Sequence, residues 1–191
     1  MTGPHYQLQN DRLLLRLLEK NDAPKLLAAY SDNKQFLKPW EPTRSEDFYT
    51  LDYMRAMIGA SYEQAREDLL YSFGIFLKST GELIGRITLS GIIRGAFQSA
   101  NVGYFLAEKH NGQGYMTDAV HLVVRFAFQE LHLHRVAAAT LLHNHGSMRV
   151  LEKAGFRREG LARHYLKIDN VWQDHYLFAI TVEDTVSTQS E

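Results

Sequence analysis

Asn101-Val-Gly-Tyr-Phe-Leu106, then Ala107-Glu-Lys-His-Asn-Gly-Gln-Gly114, then Tyr115 to Leu131 form the stretch that decides how this chain folds. The first segment reads as a strand and the second as a short loop. In the third, Met116, Ala119, Val120, Val123, Ala127 and Leu131 recur at three- and four-residue steps, one face of an amphipathic helix. Gly112 and Gly114 stand where the chain leaves the strand and starts the helix. A helix start carries unpartnered N–H groups and a partial positive charge, and glycines remove the side chains that would hold an anion at a distance. The loop therefore reads as a phosphate cradle, against the plainer reading of a flexible loop capping a core helix. It is neither of two familiar cradles. A dinucleotide-binding turn wants a third glycine where Thr117 stands, and a P-loop wants Gly-Lys-Ser/Thr where Gly114 is followed by Tyr115-Met116.

Outward from this stretch, composition narrows the classes. A chain of 191 residues, 45% apolar and 23% charged, suits one well-cored globular domain. A net charge of −1 with both signs interspersed gives no basic face for nucleic acid and no charged tail. The absence of cysteine excludes disulfides, thiolate metal sites and a cysteine nucleophile, and fits a cytoplasmic protein. No signal peptide and no run of eighteen apolar residues is expected.

Toward the N-terminus, Arg12 to Leu18 is β-competent, and Asp22 before Ala23-Pro24 is a helix start. Pro39-Trp40-Glu41-Pro42 makes a stiff loop. Thr50 to Leu70 is expected to be helical, and Tyr71–Leu77 with Glu82–Leu89 a hairpin around Ser79-Thr-Gly81. Toward the C-terminus come a strand from Arg135 to Leu142 and a short helix from Met148 to Lys153 stopped by Gly155. A hairpin from about Gly160 to Thr181 follows. The domain is placed at residues 8–183, with 184–191 a frayed tail.

Lys109-His-Asn-Gly112-Gln-Gly114 between strand and helix resembles the acetyl-CoA loop of the GCN5-related N-acetyltransferases, which usually carry Gln or Arg where Lys109 stands. Asn144-x-x-Ser147 followed by Leu151-Glu-Lys-Ala-Gly155-Phe156 resembles the second motif of that family, and Gly81-Glu-Leu-Ile-Gly85 fits its hairpin turn. Phe36-Leu-Lys-Pro-Trp40-Glu41-Pro42, Arg94-Gly-x-Phe97 and Trp172-Gln-Asp174-His175 resemble the ribosomal-protein-alanine N-acetyltransferase branch. The resemblance implies a single α/β domain: a central mixed, mostly antiparallel twisted sheet flanked by helices, with a splayed strand pair that holds pantetheine. It also implies acetyl-CoA as co-substrate, no metal, and transfer by direct attack of an amine. The implied partner is a protein N-terminus, possibly that of a ribosomal protein, or a small amine, with neither nucleic acid nor membrane. The chain would act as a monomer or homodimer.

By resemblance the cofactor contacts fall on Phe105, Leu106, Ala107, Asn111, Gly112, Gln113, Gly114, Tyr115, Asn144 and Ser147. Main-chain amides from Asn111 to Tyr115 would hold the pyrophosphate, and an N–H near Leu106 would face the thioester oxygen. Asn144 would bind the pantetheine amide, which does not exclude helix capping. Many relatives place a tyrosine where Leu151 stands; Ser147, one turn earlier, is then the candidate acid or thiolate donor, with a polar first-turn residue as the plainer reading. The strand offers no carboxylate, so Glu41 is the candidate base. Trp40, Glu41, Phe97, Tyr104 and Tyr165 are candidate walls of the acceptor pocket. Two His-x-His pairs, His132 with His134 and His143 with His145, lack the further ligands a metal needs. Two rival readings remain: a small-amine acetyltransferase (polyamine, amino acid or antibiotic), and a non-catalytic acyl-CoA-binding module.

Overall fold

The structure, a computed structural model, describes residues 6–186. It opens with strands β1 (Gln7–Gln9) and β2 (Leu13–Leu17), then helices α1 (Ala23–Ser31), α2 (Lys34–Leu37) and α3 (Leu51–Arg66). Strands β3 (Leu70–Leu77), β4 (Leu83–Ile93) and β5 (Ser99–Leu106) lead to helix α4 (Tyr115–Gln129). Strand β6 (Arg135–Leu141), helix α5 (His145–Lys153), strands β7 (Arg157–Ile168) and β8 (Val171–Thr181), and helix α6 (Val182–Val186) complete it. The strands form one sheet in the order β1-β2-β3-β4-β5-β6-β8-β7. Every neighbouring pair is antiparallel except β5 with β6, which runs parallel. This is the mixed, mostly antiparallel sheet expected.

Strand alternation sends successive side chains to opposite faces, and each face has its own helical cover. On one face Tyr30, Leu26, Phe48, Met54 and Ile58 from the α1–α3 layer bury Phe76, Leu83 and Phe105. On the other, Val120, Val123, Phe126 and Leu151 from α4 and α5 bury Phe73, Ile87, Leu89, Val102, Val136 and Phe178. At about 1.5–3 kcal/mol for each large side chain withdrawn from water, these two layers anchor the sheet between them.

Several boundaries differ from the sequence reading. Helix α3 stops at Arg66, because Asp68 takes a left-handed φ of 58° and Leu70 already belongs to β3. Helix α5 begins at His145, three residues earlier than expected, since Asn144 caps it. Asp22 makes no cap bond to α1; it pairs with Arg16 at 2.7 Å instead. Residues 184–186 of the expected tail are helical, and 187–191 lie outside the described residues. Among the described residues no helix is long and apolar enough to cross a membrane.

Candidate functional site

The site begins where β5 and β6 part. Their ladder has three rungs, Ser99 with Arg135, Ala100 with Val136 and Asn101 with Ala137, and there it ends. Beyond it β5 stays paired with β4 as far as Leu106, and β6 stays paired with β8 as far as Leu141. A gap therefore opens between 102–106 and 138–141. Since the Ala107 N–H donates to the Ile84 carbonyl of β4 (2.8 Å), alternation turns the main-chain groups of Leu106, Tyr104 and Val102 away from β4 and into the gap. Unpaired backbone groups at this depth need a partner, and an extended amide-bearing chain supplies one.

Of the three expected contacts here, only Leu106 presents its main chain to the gap. Phe105 points its carbonyl at β4 and packs its ring on Tyr30 (4.3 Å), while Ala107 is bonded to Ile84. Gly85 keeps this arrangement close: a Cβ there would lie 2.4 Å from the Phe105 carbonyl oxygen.

At the open end of the gap the chain makes a short 3-10 turn (Glu108–His110) and then the Gly112-Gln113-Gly114 loop. Gly112 and Gly114 have φ of 77° and 81°, the left-handed region that glycine enters without steric cost. The first helical N–H of α4 to find an acceptor is that of Asp118, on the Gly114 carbonyl (3.1 Å). The N–H groups from Gly112 to Thr117 thus have no protein acceptor among the described residues. Side chains shape the loop by taking its carbonyls. Asn111 Nδ2 donates to Ala107 O (3.1 Å), Gln113 Nε2 to Lys109 O (3.1 Å), and Arg12 Nη1 to Gln113 O (2.9 Å). Carbonyls are engaged and amides left over, which is what an anion asks of a loop.

Braces that sequence reading missed hold this loop. Arg12 and Asn10 of the β1–β2 turn both donate to Asp118 on α4 (2.6 and 3.0 Å), and Arg12 lies over the Tyr115 ring. Buried Asn33, at the end of α1, accepts the Glu108 N–H (2.8 Å). Glu82, in the β3–β4 turn, bridges Lys109 (2.7 Å) and His110 (3.4 Å). The Lys109 ammonium is the main reason its carboxyl sits below the usual range, partial burial opposing and His110 adding to the effect. These contacts join residues up to 108 positions apart, and no local pattern announces them.

On the α5 side of the gap two hydroxyls meet, and a third belongs to the same face of the sheet. Counting on from the last rung, Tyr104 and Thr140 stand level, and alternation places both on the face of Val102 and Val136. The Tyr104 hydroxyl lies 3.0 Å from Ser147 Oγ and 3.4 Å from the Ser147 carbonyl. Burial pushes the Tyr104 phenol up to about 12, its bond to Ser147 pulling the other way. Thr140 is buried, and its Oγ1 is without a hydrogen-bond partner among the described residues. Asn144 caps α5 by accepting the Ser147 N–H (3.1 Å), which leaves its Nδ2 hydrogens without a protein acceptor there. Tyr104, expected to wall the acceptor pocket, thus points away from the Phe105 side, toward α5.

The remaining candidates spread out. Trp40 packs on His143 just beyond β6 (5.4 Å between rings), and Tyr165 packs on His175 (5.5 Å), so both stand near the open end. Glu41 is held by Arg44 at 3.1 Å. Phe97 is 54% exposed in the β4–β5 loop, at the end where β5 is still paired. A cavity of ≈ 640 Å³ lies between β1–β2 and α3, away from all of these; its Arg16 and Glu63 are already ion-paired. Among the described residues no group of three or more His, Cys, Asp or Glu is placed to hold a metal.

The donor set suits coenzyme A: free amides at a left-handed glycine loop for a diphosphate, an unpaired strand edge for pantetheine, and an unpartnered Thr140 hydroxyl beside it. Comparison with known proteins agrees. Residues 12–157 match the family model described as the acetyltransferase (GNAT) domain. The chain is 47% identical to the probable N-acetyltransferase YjcK of Bacillus subtilis over 93% of its length and 98% of that protein's. It is 36% identical to the [ribosomal protein uS5]-alanine N-acetyltransferase of Escherichia coli, covering 95% and 93% of the two chains. Mycobacterium smegmatis RimJ in complex with CoA-disulfide superposes with a TM-score of 0.87 at 28% identity, covering 97% of this chain and 94% of that one.

Proposed function

This chain belongs to the acetyltransferase (GNAT) domain family and is an N-acetyltransferase, and from that premise we propose that it acetylates the N-terminal α-amine of a protein, in the manner of the ribosomal-protein-alanine enzymes, with acetyl-CoA as co-substrate. The observation that carries the cofactor half is the gap between β5 and β6 ending at a loop of free amides. The N–H groups of Gly112 to Tyr115 hold the diphosphate, with Asn111 and Gln113 setting the loop from their side chains. Leu106 N–H faces the acyl oxygen, and Asn144 Nδ2 meets a pantetheine carbonyl while Oδ1 keeps its cap. The acyl thioester supplies an activated carbonyl carbon: the amine nitrogen bonds to it, the carbon–sulfur bond breaks with its electron pair on sulfur, and the nitrogen gives up a proton. Ser147 Oγ–H is the candidate donor to that sulfur.

The acceptor half rests on chemistry and on kinship with the uS5-alanine enzyme. Trp40, Glu41 and Tyr165 line the approach on the open side, with Phe97 farther along it. Glu41 is the candidate base, yet its pairing with Arg44 makes it a restrained one. A restrained base suits an α-amine. With a pKa of about 7.7–8.0 roughly a tenth of it is already neutral at pH 7, whereas a lysine amine near 10.4 has under about 0.1%. Initial rates of CoA release on a peptide beginning with alanine should exceed those on the same peptide with a blocked N-terminus and a free lysine. Faster transfer to lysine, or turnover of small amines only, would overturn the α-amine assignment.

A further inference from the structure

A serine hydroxyl turns freely about its Cβ–Oγ bond unless something holds it. In this molecule the holder is 43 residues away in sequence: Tyr104, in the open half of β5, reaches across to α5 and sets its hydroxyl 3.0 Å from Ser147 Oγ. A side chain needed only to fill that space would serve as well without the oxygen.

We propose that Tyr104 is the positioning residue of Ser147, its phenol donating to Ser147 Oγ so that the serine's own hydrogen is turned to the sulfur end of the gap. This rests on the reading of Ser147 as the donor to the leaving sulfur. Two proton arrangements are open to the pair. In one, Ser147 donates to the phenol oxygen and the phenol to the Ser147 carbonyl, 3.4 Å away, and the serine hydrogen is spent inside the protein. In the other, the phenol donates to Oγ and the serine hydrogen is released. Negative charge developing on sulfur draws that hydrogen and selects the second arrangement.

The pair acts by hydrogen bonding and not by handing over a proton. The phenol, pushed up to about 12 by burial, stays protonated throughout the working range. A thiol near 8.5 is the stronger acid by roughly three powers of ten, so a thiolate does not deprotonate it. The balance is therefore simple. Nitrogen–carbon bond formation and carbon–sulfur cleavage put the electron pair on sulfur, the amine's proton leaves through solvent, and both hydroxyls keep theirs.

The test uses the full chain with Tyr104→Phe, Ser147→Ala and the double variant. The bound CoA thiol is titrated by its thiolate absorbance, and kcat and KM for acetyl-CoA are measured with an alanine-started peptide. Tyr104→Phe should raise the thiol's titration by about one pH unit and lower kcat about tenfold, with KM for acetyl-CoA changed less than about twofold. The double variant should match Ser147→Ala, because the tyrosine acts only through the serine. A Ser147→Ala effect with an inert Tyr104→Phe would overturn the positioning role and leave the serine's standing. An inert Ser147→Ala would overturn the serine reading, and Tyr104's role with it. Losses that multiply in the double variant would also overturn it. Tyr104→His restores a ring donor and should recover part of kcat; a variant impaired through misfolding would recover none.

Discussion

Strands β5 and β6 are one pair with two halves. From Ser99 to Asn101 they are laddered, and their side chains Ala100 and Val136 are fully buried beneath α4. From Val102 to Leu106 the same strands, still flanked by β4 and β8, are no longer paired with each other. The first half satisfies its hydrogen bonds at home and so contributes stability. The second half leaves them open at a depth where water is a poor partner, and so is the half available to a ligand. What separates the halves is what each edge faces. The closed half meets a strand; the open half meets none and leads to a loop of unclaimed amides.

The sharpest way to break the open half is at the loop. Gly114 has a φ of 81°, and a branched residue there is strained by about 1–2 kcal/mol while crowding the amides. Gly114→Val should remain folded and bind CoA at least about 100-fold more weakly, a loss of about 2.7 kcal/mol measurable by calorimetry. A folded Gly114→Val protein with undiminished affinity would remove the loop from the site.

A matched pair of substitutions separates the halves. Val136→Ala deletes two buried methyl groups in the laddered half and should cost about 2–3 kcal/mol in denaturant unfolding, with kcat and KM of the folded protein unchanged. Thr140→Val, four residues on, exchanges an unpartnered buried hydroxyl for a methyl group. The free protein should become more stable by about 1 kcal/mol, while CoA affinity falls about threefold or more. Opposite signs at two positions on one strand face are what the division into halves requires. A stabilised Thr140→Val with unchanged affinity would confine that hydroxyl to the fold.

How much of this could be read from the chain follows the same line. Gly112 and Gly114 were legible as a left-handed turn because such a turn is built from consecutive residues, and the helix face from Met116 to Ala127 because its period is local. Asn144 as a cap was legible from its residue type alone. Tyr104 was not: whether it joins the acceptor wall or reaches Ser147 depends on which face the strand presents, and the aromatic ring fits both. Phe105 falls on the cofactor strand by resemblance, yet its carbonyl is turned to β4, because a strand's hydrogen-bonding direction is fixed by its neighbour. Asp22 carried a cap signature, but Arg16 claimed its carboxylate first. Asn33 and Arg12, which brace the loop from 75 and 101 residues away, had no signal at all.

Among those braces, Glu82 sets the smallest and most specific expectation. It ties Lys109 and His110 to the hairpin turn, and its side chain is 39% exposed, so solvent screens the pair and the effect is modest. Glu82→Gln should weaken CoA binding about twofold to threefold through a looser loop, without changing the site's own amides. The pH dependence has a definite sign. Lys109 lowers the Glu82 carboxyl from 4.5, so its ionised form, and the brace with it, persists at and below that pH and is lost only as pH falls through the lower folded value. Between pH 8 and 5 the ratio of wild-type to Glu82→Gln affinity should therefore stay constant, and it should shrink toward one only in stronger acid. A ratio that already changed between pH 8 and 5 would overturn the assignment of the brace to the ionised Glu82–Lys109 pair.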